Sequence, residues 1–153
     1  MEVLKDLETL EDPCYDVVYG LINALREAQR SDHTTQVGAY LQGQAAHNQM
    51  TVRDKRAHAE SRCIALCARA GVPTHGSYLY APWAACTECA LDIIQAGVRK
   101  VYVLKKVMEA TPDRWVEEVT EGLNMLLDAR VRVIMVDYET GVNILMDGKT
   151  VYA

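Results

Sequence analysis

Apolar residues recur along this chain at helical spacing in some stretches and in short continuous runs in others, which predicts alternating helices and strands. Asp16–Arg30 carries Val17, Val18, Leu21, Leu25 and Ala28 on one stripe and reads as a helix. Met1–Glu11 places Leu4, Leu7 and Leu10 every third residue and also reads as helix, so that residues 1–30 form an N-terminal helical segment. Ser31-Asp32-His33-Thr34 is a polar break. Val37–Gln42 reads as a first strand, Gly43 as a turn, and Gln44–Met50 as a second strand. After the polar loop Thr51–Ala57, a helix is expected over His58–Ala70, ending at Gly71, a residue suited to a left-handed cap.

The second half repeats the alternation. Ser77–Ala81 is a third strand, Cys86–Ala96 a helix stopped by Gly97, and Val98–Leu104 a fourth strand. Pro112–Ala129 is a long helix with Trp115, Val119, Leu123, Leu126 and Leu127 at helical spacing, and Val131–Val136 is a continuously apolar fifth strand. Asn143–Met146 and Thr150–Tyr152 flank Asp147-Gly148, a hairpin signal. Strand, helix, strand, helix, strand through residues 77–136 implies parallel strands joined by right-handed crossovers. In such sheets ligands bind where strands end and helices begin.

Composition adds bounds to this α/β reading. The chain has 153 residues, half of them hydrophobic and 24% charged, which fits one domain over 1–153. No apolar run approaches the roughly 18–20 residues that span a bilayer. The acidic Met1–Asp12 does not read as a signal peptide, so a cytoplasmic location is expected. The net charge of −5, from 16 basic and 21 acidic side chains, argues against wrapping a polynucleotide. Arg53/Lys55/Arg56 and Lys105/Lys106 are the compact basic groups, either solvated clusters or part of a phosphate pocket. Of five cysteines, Cys63 and Cys67 fall on the apolar stripe of their helix and read as core thiols.

Two short segments carry the chemistry: His58-Ala59-Glu60 and Cys86-Thr87-Glu88-Cys89. One imidazole and two thiols make a three-ligand zinc site with the fourth tetrahedral position left for water. Cys86 and Cys89, three apart at a helix start, share one face, where free N–H groups and the helix dipole favour thiolates. Glu60 is the spare carboxylate that can move protons. A C-x-x-C alone would leave redox and structural roles open; the upstream H-x-E favours catalytic zinc. Alone, Glu60 would read as a carboxylate favoured by the helix N-terminus.

These motifs resemble the cytidine and deoxycytidylate deaminase superfamily, the chain being most similar to deoxycytidylate deaminase-like proteins over about Ser31–Ala153. The resemblance is carried by Asp32–Ala39 (DHTTQVGA), Ala46-His47-Asn48, His58-Ala59-Glu60 and Cys86–Gly97 (CTECALDIIQAG), with Thr111–Arg114, Trp115 and Gly122–Leu127 downstream. It implies a three-layer α/β/α cytidine deaminase-like fold: a five-stranded mixed sheet, a helical crossover between strands 4 and 5, and a C-terminal hairpin. It also implies zinc on His58, Cys86 and Cys89, with Glu60 as proton carrier. Asn48 would contact sugar or base, the Ala59 N–H the base carbonyl, and Trp83 the base pocket. Ser31 and Thr35 are the candidate phosphate contacts. The helical crossover marks relatives whose substrates carry phosphate, so dCMP is the expected substrate. Many such relatives are homo-oligomers, hexamers among them, that respond to dCTP and dTTP. Ala85 departs from the family pattern, which usually has proline before the first metal cysteine. Competing functions are a polynucleotide or tRNA deaminase, a riboflavin-pathway or guanine deaminase, and a non-enzymatic zinc module. The last of these would require a fourth protein ligand.

Overall fold

Helical stripes and apolar runs sort into three layers around one twisted sheet. The computed structural model describes residues 1–153. Its strands are β1 (Glu8–Leu10), β2 (Gly38–Leu41), β3 (Gln44–His47), β4 (Gln49–Met50), β5 (Arg56–Ala57), β6 (Tyr78–Tyr80), β7 (Lys100–Leu104), β8 (Arg132–Val136), β9 (Ile144–Met146) and β10 (Lys149–Val151). Its α-helices are α1 (Tyr15–Ala28), α2 (Ala59–Ala70), α3 (Thr87–Gln95), α4 (Lys105–Glu109) and α5 (Asp113–Asp128). The main sheet runs β1-β8-β7-β6-β2-β3, with β6, β7, β8 and β1 parallel and β2 antiparallel to both neighbours. No helix is long and apolar enough to cross a membrane.

Register assigns each side chain to a layer. Leu79, Val101 and Val133 align across β6, β7 and β8 and point into one core with Cys63 and Cys67 of α2, Ile93 of α3, and Leu123 and Leu126 of α5. One position on, Tyr80, Tyr102 and Ile134 align on the opposite face, under Val17, Leu21 and Leu25 of α1 and Ile144 and Met146 of the β9–β10 hairpin. Alternation with period two places successive strand residues in different cores. The near-continuous apolar runs of β7 and β8 follow from burial on both faces. The crossover between β7 and β8 is helical, as expected, through α4 and α5.

The sheet has a sixth strand. Met1–Glu11 is not an α-helix: Glu2–Asp6 is a 3-10 turn, and Glu8–Leu10 pairs in parallel with Ile134–Val136. A spacing of three suits the 3-10 repeat as well as an α-stripe, and Val3, Leu4 and Leu7 bury their side chains from that shorter form. The outer edge of β8 supplies backbone partners that a free-standing helix would leave exposed. The second strand also stops early, at His47, because Asn48 turns its side chain back onto the loop before β2.

Candidate metal centre and its cavity

The starts of α2 and α3 converge. His58 is the N-cap of α2 and Cys86 the N-cap of α3, each in extended backbone, so their side chains project beyond the first turns. Gly71, at φ 68°, closes the far end of α2 in the left-handed conformation that glycine adopts without penalty. His58 Nδ1 lies 3.3 Å from Cys86 Sγ and 3.4 Å from Cys89 Sγ, and all three donor atoms fall within 4.8 Å of one another. Nitrogen and sulfur on one tetrahedral zinc ion stand about 3.5 Å apart when the bonds are about 2.0 and 2.3 Å. The donor set therefore fits Zn2+, with Nδ1 as the ligating nitrogen.

The same contacts tie together the acidities of the three groups in the metal-free chain. The hydrogen bond from Cys89 is the largest influence holding the Cys86 thiol down at about 4, with His58 adding to it. The bond to Cys86 raises the His58 imidazole to about 9. Cys89 is pushed up, first by its bond to Cys86 and then by burial. A thiolate at Cys86 is a ready donor for a cation, which would displace the remaining protons from His58 and Cys89. The Cys89 backbone N–H donates to Cys86 Sγ at 3.4 Å, a helix-start contact that also favours thiolate.

Glu60 is 4% exposed, and burial is the main cause that pushes its carboxyl up to about 7, with the Cys86 charge adding to it. A buried carboxyl poised there can hold or release a proton near neutrality. Its helix-start position does not account for this burial, since a carboxylate favoured only by the dipole would stay in water.

A cavity of about 210 Å³ opens beside these groups. His58, Ala59, Glu60, Cys86, Asn48, Trp83 and Thr35 all line it, whereas Cys89 lies buried behind it. Ser31 does not line it: its hydroxyl donates to the Asn48 carbonyl at 3.0 Å from a buried position. Asn48 donates from Nδ2 to the Thr35 carbonyl (2.8 Å) and accepts from the Val37 N–H (3.0 Å), so it staples the 35–37 wall in place. The Thr35 hydroxyl donates to Asp147 at 3.0 Å, which ties that wall to the C-terminal hairpin. Trp83 donates from its indole nitrogen to the Thr111 hydroxyl at 2.9 Å and presents its ring to the cavity.

Four further residues of the wall stand out: His33, Arg56, Arg114 and Trp115. His33 is set by the Thr35 N–H, which donates to its Nδ1 at 3.0 Å. Arg114 reaches Asp147 at 2.6 Å and lies over the Trp115 ring. Arg56 is different: its Nη1 is buried without a hydrogen-bond partner. A buried guanidinium nitrogen left unpaired is costly, so its natural complement is an acceptor that enters the cavity. Trp115 sits at the wall with 38% of its surface exposed rather than in the core stripe that its spacing suggests.

Comparisons with known proteins place the chain. Its fold matches dCMP deaminase from the cyanophage S-TIM5 in apo form, at TM-score 0.64 and 22% identity over 80% of this chain and 99% of that one. The same enzyme in complex with dCMP and dUMP matches at TM-score 0.63 and 23% identity, over 81% and 99%. A diaminohydroxyphosphoribosylaminopyrimidine deaminase/5-amino-6-(5-phosphoribosylamino)uracil reductase from Thermotoga maritima matches at TM-score 0.60 and 19% identity, over 78% of this chain and 36% of that one. ComE operon protein 2 of Bacillus subtilis (strain 168) is 44% identical over 45 residues, which span 29% of this chain and 24% of that protein. Residues 17–105, more than half of the chain, match the family described as the cytidine and deoxycytidylate deaminase zinc-binding region, and the chain belongs to that family.

Proposed function

We propose that this protein hydrolyses the exocyclic amine of a cytosine mononucleotide, dCMP before others, to give dUMP and ammonia. The observation that carries the reading is one cavity lined by two of the three clustered metal donors, with Cys89 behind them, together with a buried carboxyl and an unpartnered buried guanidinium nitrogen. The first two serve the reaction. The third serves an anionic substrate.

His58, Cys86 and Cys89 would hold Zn2+, which when bound supplies the Lewis acidity that makes water a nucleophile near neutral pH. Glu60 would take a proton from the attacking water and deliver it to the ring nitrogen, then take the proton of the added hydroxyl and give it to the departing ammonia. Protonation of the ring nitrogen makes the amidine carbon electrophilic, which calls for a carboxyl beside the metal set; that Glu60 lines the same cavity as His58 and Cys86 supports this role. The Ala59 N–H at the start of α2 takes the base carbonyl, Asn48 holds the wall and faces the sugar, and Trp83 packs on the ring. Arg56 takes the phosphate, with Thr35 and His33 beside it; Ser31 supports Asn48 from behind.

The test is a comparison of kcat/KM on dCMP, CMP, deoxycytidine, single-stranded DNA and tRNA. The reading expects dCMP to lead deoxycytidine by a hundredfold or more, because losing a charge-assisted phosphate contact costs about 1.5–3 kcal/mol per bond. Equal efficiency on deoxycytidine would assign a nucleoside enzyme, and preference for an oligonucleotide a polymer enzyme. Assembly into oligomers and response to dCTP and dTTP belong to the same proposal. They are read by light scattering and by rate measurements with each nucleotide added.

A further inference from the structure

Cys89 is fully buried, and its sulfur lies 3.4 Å from the Ser61 hydroxyl oxygen, 28 residues earlier in the chain. Ser61 in turn donates to the Asp92 carboxylate at 2.6 Å. Ser61 follows Glu60 on α2, and Asp92 lies three residues after Cys89 on α3. That i, i+3 spacing puts Cys89 and Asp92 on one face of α3, the face turned toward Ser61. The chain Asp92–Ser61–Cys89 therefore crosses the contact between the two helices that carry the metal donors.

A serine hydroxyl has one hydrogen and two lone pairs. At 2.6 Å from a carboxylate oxygen its hydrogen points to Asp92, in a bond of the short, charge-assisted kind. The oxygen is thereby held at a fixed place against the sulfur. Neither Ser61 nor Asp92 lines the cavity, so neither meets a substrate there. The two sulfurs consequently have different neighbours. Cys86 Sγ takes a backbone N–H that the helix supplies in any sequence, whereas Cys89 Sγ depends on a side chain.

We propose that Ser61 and Asp92 are the positioning pair of the Cys89 sulfur: Asp92 fixes the Ser61 oxygen, and that oxygen, in contact with the sulfur, sets where the sulfur sits beside the other two metal donors. The proposal rests on the reading of His58, Cys86 and Cys89 as zinc ligands. Groups that orient a ligand from outside commonly govern about 10–100-fold in metal affinity. An ordinary bond between helices would instead affect stability and leave the metal untouched.

The parent protein, Ser61→Ala, Ser61→Thr and Asp92→Asn are stripped of metal and titrated with zinc against a chromophoric chelator. Each is then loaded with cobalt(II), whose thiolate charge-transfer absorption reports on the sulfur directly. Ser61→Ala and Asp92→Asn are expected to bind zinc about 10–100-fold more weakly than the parent and to shift that absorption. Ser61→Thr keeps the hydroxyl and is expected to restore both to within about threefold of the parent. If Ser61→Ala fails to fold, the isosteric Asp92→Asn reads the same contact. Parent-like zinc affinity and cobalt spectrum in the variants that fold would overturn the proposal, even with a lowered thermal midpoint. A parent that takes up neither metal would sink the ligand set, and the pair with it.

Discussion

Glu118 on α5 accepts two hydrogen bonds from Thr87, one from the backbone N–H at 3.0 Å and one from the hydroxyl at 2.7 Å. Thr87 directly follows Cys86, so a carboxylate from a distant helix caps the start of α3 beside a metal donor. The two Thr87 bonds hold the Glu118 carboxyl below its ordinary 4.5. A carboxyl lowered in the folded state contributes stability above its unfolded pKa and loses it as acid protonates the folded form. In metal-free protein, Glu118→Gln is therefore expected to have a lower thermal midpoint than the parent at pH 7. The gap should close below about pH 4.5. A gap that stays constant across that range would remove the charge from the explanation.

Four residues along the same helix, Gly122 lets α5 approach the cysteine loop. A Cβ at this position would run into the Ala85 carbonyl oxygen and lie 2.9 Å from the Ala85 carbonyl carbon. The obstacle is backbone, which cannot swing aside as a side chain would. Gly122→Ala gains helix propensity but must push α5 off the loop, and overpacking of this kind costs about 1–3 kcal/mol. We expect a lower thermal midpoint and reduced zinc occupancy together. Full occupancy with parent stability would show that the loop yields freely.

How far the sequence exposes this protein depends on how local each signal is. His58, Glu60, Cys86 and Cys89 are legible because a metal set needs a few residue types at short spacings, and helix starts place them without help from distant contacts. Strands β7 and β8 are legible because burial on both faces leaves continuous apolar runs. Residues 1–11 mislead because Leu4, Leu7 and Leu10 satisfy a 3-10 turn plus an edge strand as well as a helix, and only the free edge of β8 decides between them. Arg56 is visible only as one of a basic cluster. What distinguishes it from Arg53 and Lys55 is the burial of its Nη1 in the cavity wall, a property of the folded chain. Ser61 and Glu118 likewise carry no mark in sequence, since each acts on a partner about thirty residues away.

Glu60 should be separable from the metal set. Glu60→Gln keeps the side-chain shape and removes the carboxyl that burial raises to about 7. It is expected to fold, to bind one zinc per chain, and to lose turnover by roughly 10²–10⁴-fold, the usual share of general acid–base catalysis. Changing His58, Cys86 or Cys89 to Ala should instead remove high-affinity zinc. A Glu60→Gln variant with full turnover on dCMP would leave the carboxyl without a role in the chemistry.

Arg56 offers the sharpest division between a nucleotide and a nucleoside as substrate. Its Nη1 has no partner within the protein, and Arg114, the other arginine of the wall, is already engaged by Asp147. Replacing Arg56 with methionine keeps the apolar stem and deletes the charge. If Nη1 meets the phosphate, kcat/KM on dCMP should fall by about 10–100-fold, the cost of one charge-assisted bond at about 1.5–3 kcal/mol. Activity on deoxycytidine, which has no group to meet it, should stay near the parent value or rise. The ratio of the two substrates is thus the measurement, and it cancels any general loss of folded protein. A loss equal on both substrates would assign Arg56 to the wall alone, and the anionic group would then have to be held by other residues of the cavity.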